Sequence, residues 1–481
     1  MIILKLIFLS LIFSQTVYTE NKPNVLMLVI DDLNDWVGPL NGHPQVKTPS
    51  IDALAARGTV FSNAHCQTPL CNPSRTSFMT SLRPSTTGIY GLRPWFRDVK
   101  KLKDLVTLPQ YFSKAGYTTY TIGKIYHKFN NSDTVEFNQV GIPEKSLRVK
   151  KKRVKTPRGG PGMDWGLYPY KDSDHKDWKT ADWAVNALNK KPAGPFFMAV
   201  GFSLPHVPLR VTQKWLDLYP EEKLKLPPLT ENDRKDTPRF SWYLHWRLPE
   251  PRQKFLIENN EQYKIVQAYL ASISYMDHQV GRVLKALKEN GYLENTVVVL
   301  FSDHGYHLGE KEITGKNTLW ERSTRVPLIF AGPGINKGIC KEPAELLDIY
   351  PTLAEVAGLK NPSGLEGLSL MPQIKNPGTR RERPAITTHN HDNHSIRSKD
   401  WRLIQYADGS RELYNMKKDP NEFKNLINDP EYSSVIQEHL KWIPSVNLKP
   451  APGSSHRLLT YDKGVIKWEG EEIKEGEEIP E

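Results

Sequence analysis

The residues best suited to chemistry follow short apolar runs of the chain. Asp31 and Asp32 come directly after one such run, and Asp303 and His304 come after another. Two adjacent carboxylates resist joint ionisation in a cleft unless a cation neutralises them. Oxygens from three aspartates, with at most one nitrogen from His304, suit Ca²⁺ or Mg²⁺ better than zinc. The pattern therefore favours a metal site, although a turn or helix cap is the structural alternative for Asp31-Asp32 alone.

Two other apolar runs end in basic side chains. Lys124 and His127 follow the run at residues 118–122, and His206 follows the run at residues 196–202. Ligands of open α/β sheets bind beyond the carboxyl ends of the strands, so we expect these groups to meet the aspartates at one crest. A lysine there would bind an anion, and an imidazole would move a proton. For His206 alone, an ordinary loop residue is an equal alternative.

Cys71 opens the run Cys71-Asn72-Pro73-Ser74-Arg75. Pro73 is a favourable first helical residue, so Cys71 is expected just before a helix, where free amides and the positive helix end favour anions. Arg75 adds a fixed cation to the same pocket. A buried structural cysteine is the alternative. By average residue frequencies, C-x-P-S-R arises by chance in only about one chain in a thousand of this length.

This run resembles the C-x-P-S-R signature of the type I sulfatases, in which the cysteine is oxidised enzymatically to formylglycine. The likeness covers roughly residues 24–370. Within the family the sequence is most similar to the iduronate-2-sulfatases. The matching positions outside the signature are Asp31-Asp32, Gly123-Lys124 with His127, Pro205-His206, Ser302-Asp303-His304-Gly305 and Lys316.

The resemblance implies an alkaline-phosphatase-like α/β domain with a mostly parallel central sheet, followed by a small C-terminal α+β subdomain with an antiparallel sheet. It implies hydrolysis of sulfate esters on an anionic polysaccharide or oligosaccharide, with 2-O-sulfated uronic acid of a glycosaminoglycan or ulvan as the best match. A formylglycine-generating enzyme would be a partner during maturation. The implied catalytic residues are Cys71, Arg75, Lys124, His127, His206 and Lys316. The implied ligands of one Ca²⁺ are Asp31, Asp32, Cys71, Asp303 and His304.

Strands and helices must position these residues. Apolar runs alternate with helical patterns along the chain, which is typical of a layered α/β domain. Strands are predicted at residues 24–30, 118–122, 196–202, 296–301 and 326–330, and helices at residues 50–57, 108–115, 261–290 and 345–357. A catalytic domain is expected over residues 20–375, with insertions near 130–180 and 212–260. A C-terminal subdomain over 376–468 and an acidic, solvated tail over 469–481 complete the prediction.

Charge and the N-terminus narrow the setting. The 481 residues carry a net charge of +11, which raises the local concentration of anionic ligands. Residues 1–19 show the pattern of a secretory signal peptide, so we expect export without a membrane anchor. The address would be periplasmic or extracellular in a bacterium and lysosomal in an animal, which makes nucleic acid an unsuitable partner. The basic stretch at residues 145–155 is either a solvated loop or a grip for a polyanion.

Two other functions compete with sulfate hydrolysis. A phosphatase or phosphodiesterase of the same superfamily would need further Asp and His ligands for two zinc ions, and the spacings after Asp277 and Asp348 do not provide them. A non-catalytic polysaccharide-binding protein would keep Cys71 unmodified. Cys66 and Cys340 are either a disulfide or two buried thiols. Five further side chains could line the sugar pocket, but a structural role is the favoured interpretation for each. They are Trp95, Arg97, His307, Trp320 and His391.

Overall fold

The computed structural model describes residues 22–127, 132–142, 146–160 and 162–480. The predicted signal peptide at residues 1–19 lies outside the described residues, as does the first residue of the basic stretch at 145–155. Within the described residues, no helix is both long enough and apolar enough to cross a membrane.

A central sheet of eight strands organises the structure. Its strands are β1 (Asn24–Ile30), β2 (Gly58–Phe61), β3 (Thr118–Gly123), β4 (Gln139–Val140), β5 (Phe196–Phe202), β6 (Thr296–Ser302), β7 (Leu328–Ala331) and β8 (Gly338–Cys340). They lie in the order β8-β2-β7-β6-β1-β5-β3-β4. Only β7 runs antiparallel to its neighbours in this sheet. The strands β1, β5 and β6 are buried along their whole length, as expected for a sheet covered on both faces.

Helices cover both faces of the sheet. Those of seven or more residues are α1 (Pro49–Ala55), α2 (Cys71–Thr80), α3 (Leu108–Lys114), α4 (Lys176–Asn189), α5 (Gln262–Glu289), α6 (Ile349–Val356) and α7 (Ser433–Leu440). Shorter helices span Pro84–Thr87, Ser132–Glu136, Gln213–Leu216, Phe240–Tyr243, Gln253–Glu258, Glu321–Thr324 and Met371–Lys375. Alternate residues of β1 enter two separate cores, one on each side of the sheet.

The predicted strands are confirmed at four of the five positions to within one residue. The fifth prediction, at residues 326–330, was wrong in one respect. Pro327 divides this run into a two-residue strand, Arg325–Val326, and the antiparallel strand β7. Proline has no backbone N–H to donate to a neighbouring strand, which explains the division.

The long helix α5 continues through Gly281 without interruption. A Cβ at this position would lie 2.4 Å from Ser50 Oγ on α1. Glycine therefore lets the two helices approach closely, and the packing gained outweighs its lower helix propensity.

The C-terminal sheet is antiparallel, which confirms the predicted fold class. It consists of β9 (Ala385–Thr388), β10 (His394–Arg397), β11 (Trp401–Gln405) and β12 (Arg411–Asn415). A final three-stranded sheet follows, with β13 (Leu459–Asp462), β14 (Val465–Trp468) and β15 (Glu471–Glu472). The boundary near residue 376 stays a prediction.

The acidic tail does not extend loosely into solvent, so this part of the prediction was wrong. Ile473 is buried, and its backbone N–H donates to Ile466 at 2.9 Å. Glu477 pairs with Arg247 at 3.2 Å, and Glu471 pairs with the same guanidinium. Apolar side chains between the acids, together with a basic partner, hold the segment against the protein.

All three cysteines are buried and free, so Cys66 and Cys340 are two thiols rather than a disulfide. Burial raises the pKa of the Cys66 thiol well above its ordinary value. Such a thiol is chemically inert at neutral pH, in contrast to Cys71.

Candidate active site

Four adjacent parallel strands deliver the polar groups to one edge of the sheet. In the order β6, β1, β5 and β3, these strands are followed by Asp303, Asp31, His206 and Lys124, and His206 lies four residues beyond the end of its strand. Parallel strands place their carboxyl ends at the same edge, which brings together side chains from distant parts of the chain. The structure therefore contains the single crest that the sequence predicts.

Cys71 lies at the centre of this crest, as the first residue of α2. Its Sγ is 3.3 Å from Lys316 Nζ, 3.3 Å from His304 Nε2 and 3.5 Å from Lys124 Nζ. Asp31 Oδ1 lies at 3.6 Å. We call Cys71 and its surroundings the Cys71 cage, whose other members are Asp31, Asp32, Arg75, Lys124, Asp303, His304 and Lys316. The helix begins at Cys71 itself, two positions before Pro73, the first helical residue that the sequence suggested.

Arg75, a member of the cage, is fully buried and links the other members. Its Nε donates to Asp303 Oδ2 at 2.9 Å, and its Nη2 donates to Asp31 Oδ1 at 3.2 Å. Its Nη1 donates to the carbonyls of Lys124 and Ile125. One guanidinium thus fixes three of the four strand ends relative to α2.

Asp32 has an unusual backbone conformation, with φ at 63°. Tyr269 Oη donates to the Asp32 carbonyl at 2.7 Å and accepts from Asn34 N at 3.0 Å, which stabilises this turn. The Asp32 carboxylate accepts from Lys316 Nζ at 2.5 Å through Oδ1. The left-handed region is uncommon for residues other than glycine, and aspartate is among those that adopt it most readily.

Charges in the cage shift several pKa values. Burial and Asp31 oppose ionisation of the Cys71 thiol, but Lys124 and Lys316 outweigh them and hold its pKa well below its ordinary value. Burial raises the pKa of Asp32 to about 7, against the effect of Lys316. For Asp31, the effect of burial is overcome by Lys124 and other cations, and the pKa is well below the usual range. The cage therefore favours a negative charge at the position of Cys71.

The donor set fits a hard divalent cation. Ligand atoms of Asp31, Cys71, Asp303 and His304 all lie within 4.8 Å of one another, and so do those of Asp31, Asp32, Cys71 and His206. Within the described residues, the buried Asp32 Oδ2 has no hydrogen-bond partner. A buried carboxylate oxygen without a partner is costly, and a cation would remove that cost.

His206 lies beside the cage on the loop after β5. Its Nδ1 is 2.6 Å from the Val207 carbonyl, which can only accept, so Nδ1 carries a proton and Nε2 remains available to a ligand. Burial and Lys124 hold the pKa of His206 well below its ordinary value. His127 follows β3 and lines a neighbouring cavity of about 370 Å³.

Comparison with known proteins agrees with this geometry. The profile of the Sulfatase family matches residues 23–359, and the profile described as N-sulphoglucosamine sulphohydrolase, C-terminal, matches residues 309–447. A protein of Formosa agariphila described as a sulfatase is 41% identical over 459 residues, which covers 92% of this chain and 90% of that protein.

The chain belongs to the sulfatase family. It is a sulfuric ester hydrolase. Human iduronate 2-sulfatase is 32% identical over 390 residues, covering 72% of this chain and 70% of the human protein. A solved structure described as a 2-O GAG sulfatase has 27% identity and a TM-score of 0.68, covering 87% of this chain and 90% of that one.

The cavity beside the cage of this sulfatase contains residues that the sequence reasoning missed. Arg93 comes from the loop after the helix at Pro84–Thr87, while His456, Arg457 and Trp468 come from the C-terminal region. No local motif marks these positions, because they meet the cage only through folding. Arg457 Nη1 donates to Asn317 Oδ1 at 2.8 Å, next to Lys316.

The five further side chains that the sequence assigned first to structure do not line this cavity. Trp320 is buried and donates to Glu412 at 2.8 Å, and His307 is buried against Thr318. Arg97 binds Glu136, and His391 pairs with Asp392 at 2.9 Å. Trp95 is nearly buried within the core. Their structural interpretation agrees with these positions.

Proposed function

We propose that this sulfatase removes sulfate esters from sulfated saccharides and that its nucleophile is a formylglycine made from Cys71. The observation that carries the proposal is the position of Cys71 Sγ, at the start of a helix and within 3.5 Å of Lys316, His304 and Lys124. Such an array stabilises negative charge as it develops on a transferred sulfate group. The hydrate of the aldehyde provides one hydroxyl to attack sulfur and a second to expel sulfate.

The lysines contact the sulfate in this scheme, whereas Arg75 acts through other residues. Lys124 and Lys316 point their ammonium groups at Cys71 Sγ from two sides. Arg75 is occupied by Asp31, Asp303 and backbone carbonyls. The resemblance placed Arg75 among the catalytic residues, and we propose that it positions the cage instead.

His206 is the proposed acid for the leaving sugar oxygen. The Val207 carbonyl fixes its ring through Nδ1 and leaves Nε2 for the substrate. Because burial and Lys124 lower its pKa, the ring gains a proton when an anionic sulfate ester offsets the two lysines. His127, on the cavity side, is the proposed acceptor of the proton from the second hydroxyl.

One Ca²⁺ is the proposed metal, held by Asp31, Asp32, Asp303 and His304 together with the oxygen functions of the modified Cys71. When bound, it would stabilise negative charge on the reacting sulfate group. Three carboxylates in the cage pair with Arg75, Lys124 and Lys316, which equal them in number. The charge of the bound cation would then attract an anionic ester.

The proposed substrate is a 2-O-sulfated uronic acid of a glycosaminoglycan or an ulvan-type polysaccharide. The activities for which the human relative and the 2-O GAG sulfatase structure are named support it, as does the net charge of +11. Export by residues 1–19 and maturation by a formylglycine-generating enzyme belong to the same proposal. The address would be periplasmic or extracellular in a bacterium and lysosomal in an animal.

Cys71→Ser tests the nucleophile. A serine sulfate ester has no second hydroxyl with which to expel sulfate, so the variant should stall after at most one turnover of 4-nitrocatechol sulfate. Normal turnover by Cys71→Ser from the same host would contradict the mechanism. Chelation should abolish turnover and added Ca²⁺ should restore it. A screen of heparan, dermatan, ulvan and carrageenan oligosaccharides tests the substrate, and release of sulfate from carrageenan alone would contradict the uronic acid.

A further inference from the structure

The cavity of about 370 Å³ opens beside the Cys71 cage and shares elements with it. His127 lines the cavity and follows the same strand as Lys124. Arg457 also lines it and is hydrogen-bonded to Asn317, the neighbour of Lys316. A sugar whose sulfate lies at Cys71 would therefore extend into this cavity.

The wall opposite His127 is a short segment near the C-terminus. We call residues 455–457 the C-terminal wall. Its backbone pairs with Arg93, because Arg93 N donates to Ser455 O and Ser455 N donates to Arg93 O, both at 3.2 Å. His456 and Arg457 have consecutive φ angles of 61° and 63°. Two left-handed non-glycine residues in succession are strained, and such strain clusters at ligand sites.

Arg457 is held in one orientation by two partners. Its Nη1 donates to Asn317 Oδ1 and its Nη2 donates to Glu250 Oε1, both at 2.8 Å. Glu250 is buried, and within the described part of the chain its second oxygen, Oε2, has no hydrogen-bond partner. Arg457 thus presents an immobilised guanidinium to the cavity, and Glu250, which does not line the cavity, fixes the orientation of that guanidinium.

Arg93 differs from Arg457 because its side chain is exposed. No carboxylate of the described residues pairs with its guanidinium, although its backbone is fixed by Ser455. The other arginine of the cavity, Arg247, is already paired with Glu471 and Glu477. Arg93 therefore brings to the cavity a cation whose charge no other side chain of the described residues neutralises.

We propose that the cavity is a second anion subsite, in which Arg93 and Arg457 bind a carboxylate or a second sulfate carried by the saccharide. The inference rests on the proposed function, since it assumes that the ester at Cys71 belongs to a saccharide. A planar guanidinium fork matches either anion, with a geometry that lysine cannot reproduce.

Arg93→Gln is the main test, because this exposed side chain can change without disturbing the fold. Arg380→Gln is the matched control, an exposed arginine away from the cavity. Three saccharides are compared: a 2-O-sulfated uronic acid disaccharide, the same disaccharide with its carboxyl group reduced to an alcohol, and the reduced disaccharide with a second sulfate on the adjacent ring. KM and kcat are measured for each.

Arg93→Gln should raise KM for an anionic substrate by about tenfold, the effect of losing one charge-assisted hydrogen bond. If the loss appears with the carboxylated disaccharide and not with its reduced form, the bound anion is the carboxylate. If it appears with the second sulfate instead, the bound anion is that sulfate. Equal losses with all three saccharides, or no loss with any, would overturn the subsite.

The two proposals fail in different ways. If the wild-type enzyme hydrolyses 4-nitrocatechol sulfate but none of the saccharides, the saccharide substrate is wrong, and the subsite is overturned with it. If the wild type hydrolyses them and Arg93→Gln matches Arg380→Gln, only the subsite is wrong. Arg457→Lys is a second test, because lysine keeps the charge but cannot bind Asn317 and Glu250 at the same time, as the guanidinium does. We expect it to raise KM severalfold more for the anionic disaccharides than for the reduced one.

Discussion

The Cys71 cage and the C-terminal wall are neighbours, joined through the contact of Arg457 with Asn317 beside Lys316, but they are held in different ways. The cage is buried, and its carboxylates pair with Arg75, Lys124 and Lys316. The wall is partly exposed, and two backbone hydrogen bonds to Arg93 and the side-chain contacts of Arg457 fix it. A buried array of charges tolerates little change, whereas a half-exposed wall can vary without loss of the fold. The cage is therefore the region that carries out the chemistry, and the wall is the region that selects the saccharide.

The largest effect is expected from Lys316→Met. It removes the ammonium group that lies 3.3 Å from Cys71 Sγ and leaves Asp32 without its cation. We expect kcat to fall on the order of 10³-fold for every sulfate ester, the upper end of what one donor to the transition state contributes. Turnover of 4-nitrocatechol sulfate measures it, with the exposed Lys337→Met as control. If kcat fell for saccharides only, Lys316 would act in saccharide binding, like the C-terminal wall, and not in the chemistry of the cage.

The next largest effect is a loss of folding stability at low pH. It involves a histidine that contacts the segment leading to the C-terminal wall. His394 on β10 is buried, accepts or donates to Thr388 at 3.0 Å and lies 3.3 Å from Asn447 Nδ2. Burial lowers the pKa of His394 to about 4 from an ordinary 6.5. Since the folded value is the lower one, this stability is present above pH 6.5 and is lost as the pH falls towards 4.

Urea unfolding of His394→Asn measures the contribution of His394 to the pH dependence of stability. Between pH 7.5 and 4, the free energy of unfolding should fall by about 3 kcal/mol less in the variant than in the wild type. Identical slopes for wild type and His394→Asn would show that this histidine is not held neutral.

A smaller effect is expected from Ile473→Ala in the acidic tail. Ile473 is buried against the sheet that carries the wall, so its truncation should lower the free energy of unfolding by about 2 kcal/mol. Val465→Ala, exposed on the neighbouring strand, should cost about 0.5 kcal/mol or less. Denaturant unfolding compares the two, and equal small losses would support a loose tail after all.

The smallest effect is expected from Glu250→Gln. The amide keeps an oxygen for Arg457 but loses the charge that orients the guanidinium. KM for a 2-O-sulfated uronic acid disaccharide should rise about fivefold, or about 1 kcal/mol, with a smaller change in kcat. Glu258→Gln, exposed and distant from the cavity, is the control. A fall in kcat with unchanged KM would assign Glu250 to the cage.

The same contrast explains what the sequence could predict. Asp31, Lys124, His206 and Asp303 follow apolar strands, so local pattern and the rule for strand ends were enough to bring them to one crest. Arg93 and Arg457 meet through a pairing between segments more than 350 residues apart, which no local pattern encodes. Likewise, the acid-rich composition of the tail hid the two contacts, at Ile473 and Arg247, that hold it in place.

Mass spectrometry of the peptide that contains Cys71 tests the central claim most directly. Preparations matured to different extents would be digested, and the fraction with an aldehyde at position 71 compared with the turnover of 4-nitrocatechol sulfate. Activity should be proportional to the aldehyde fraction and should vanish in protein that carries the free thiol. Full activity in protein that carries only the thiol at Cys71 would contradict the claim.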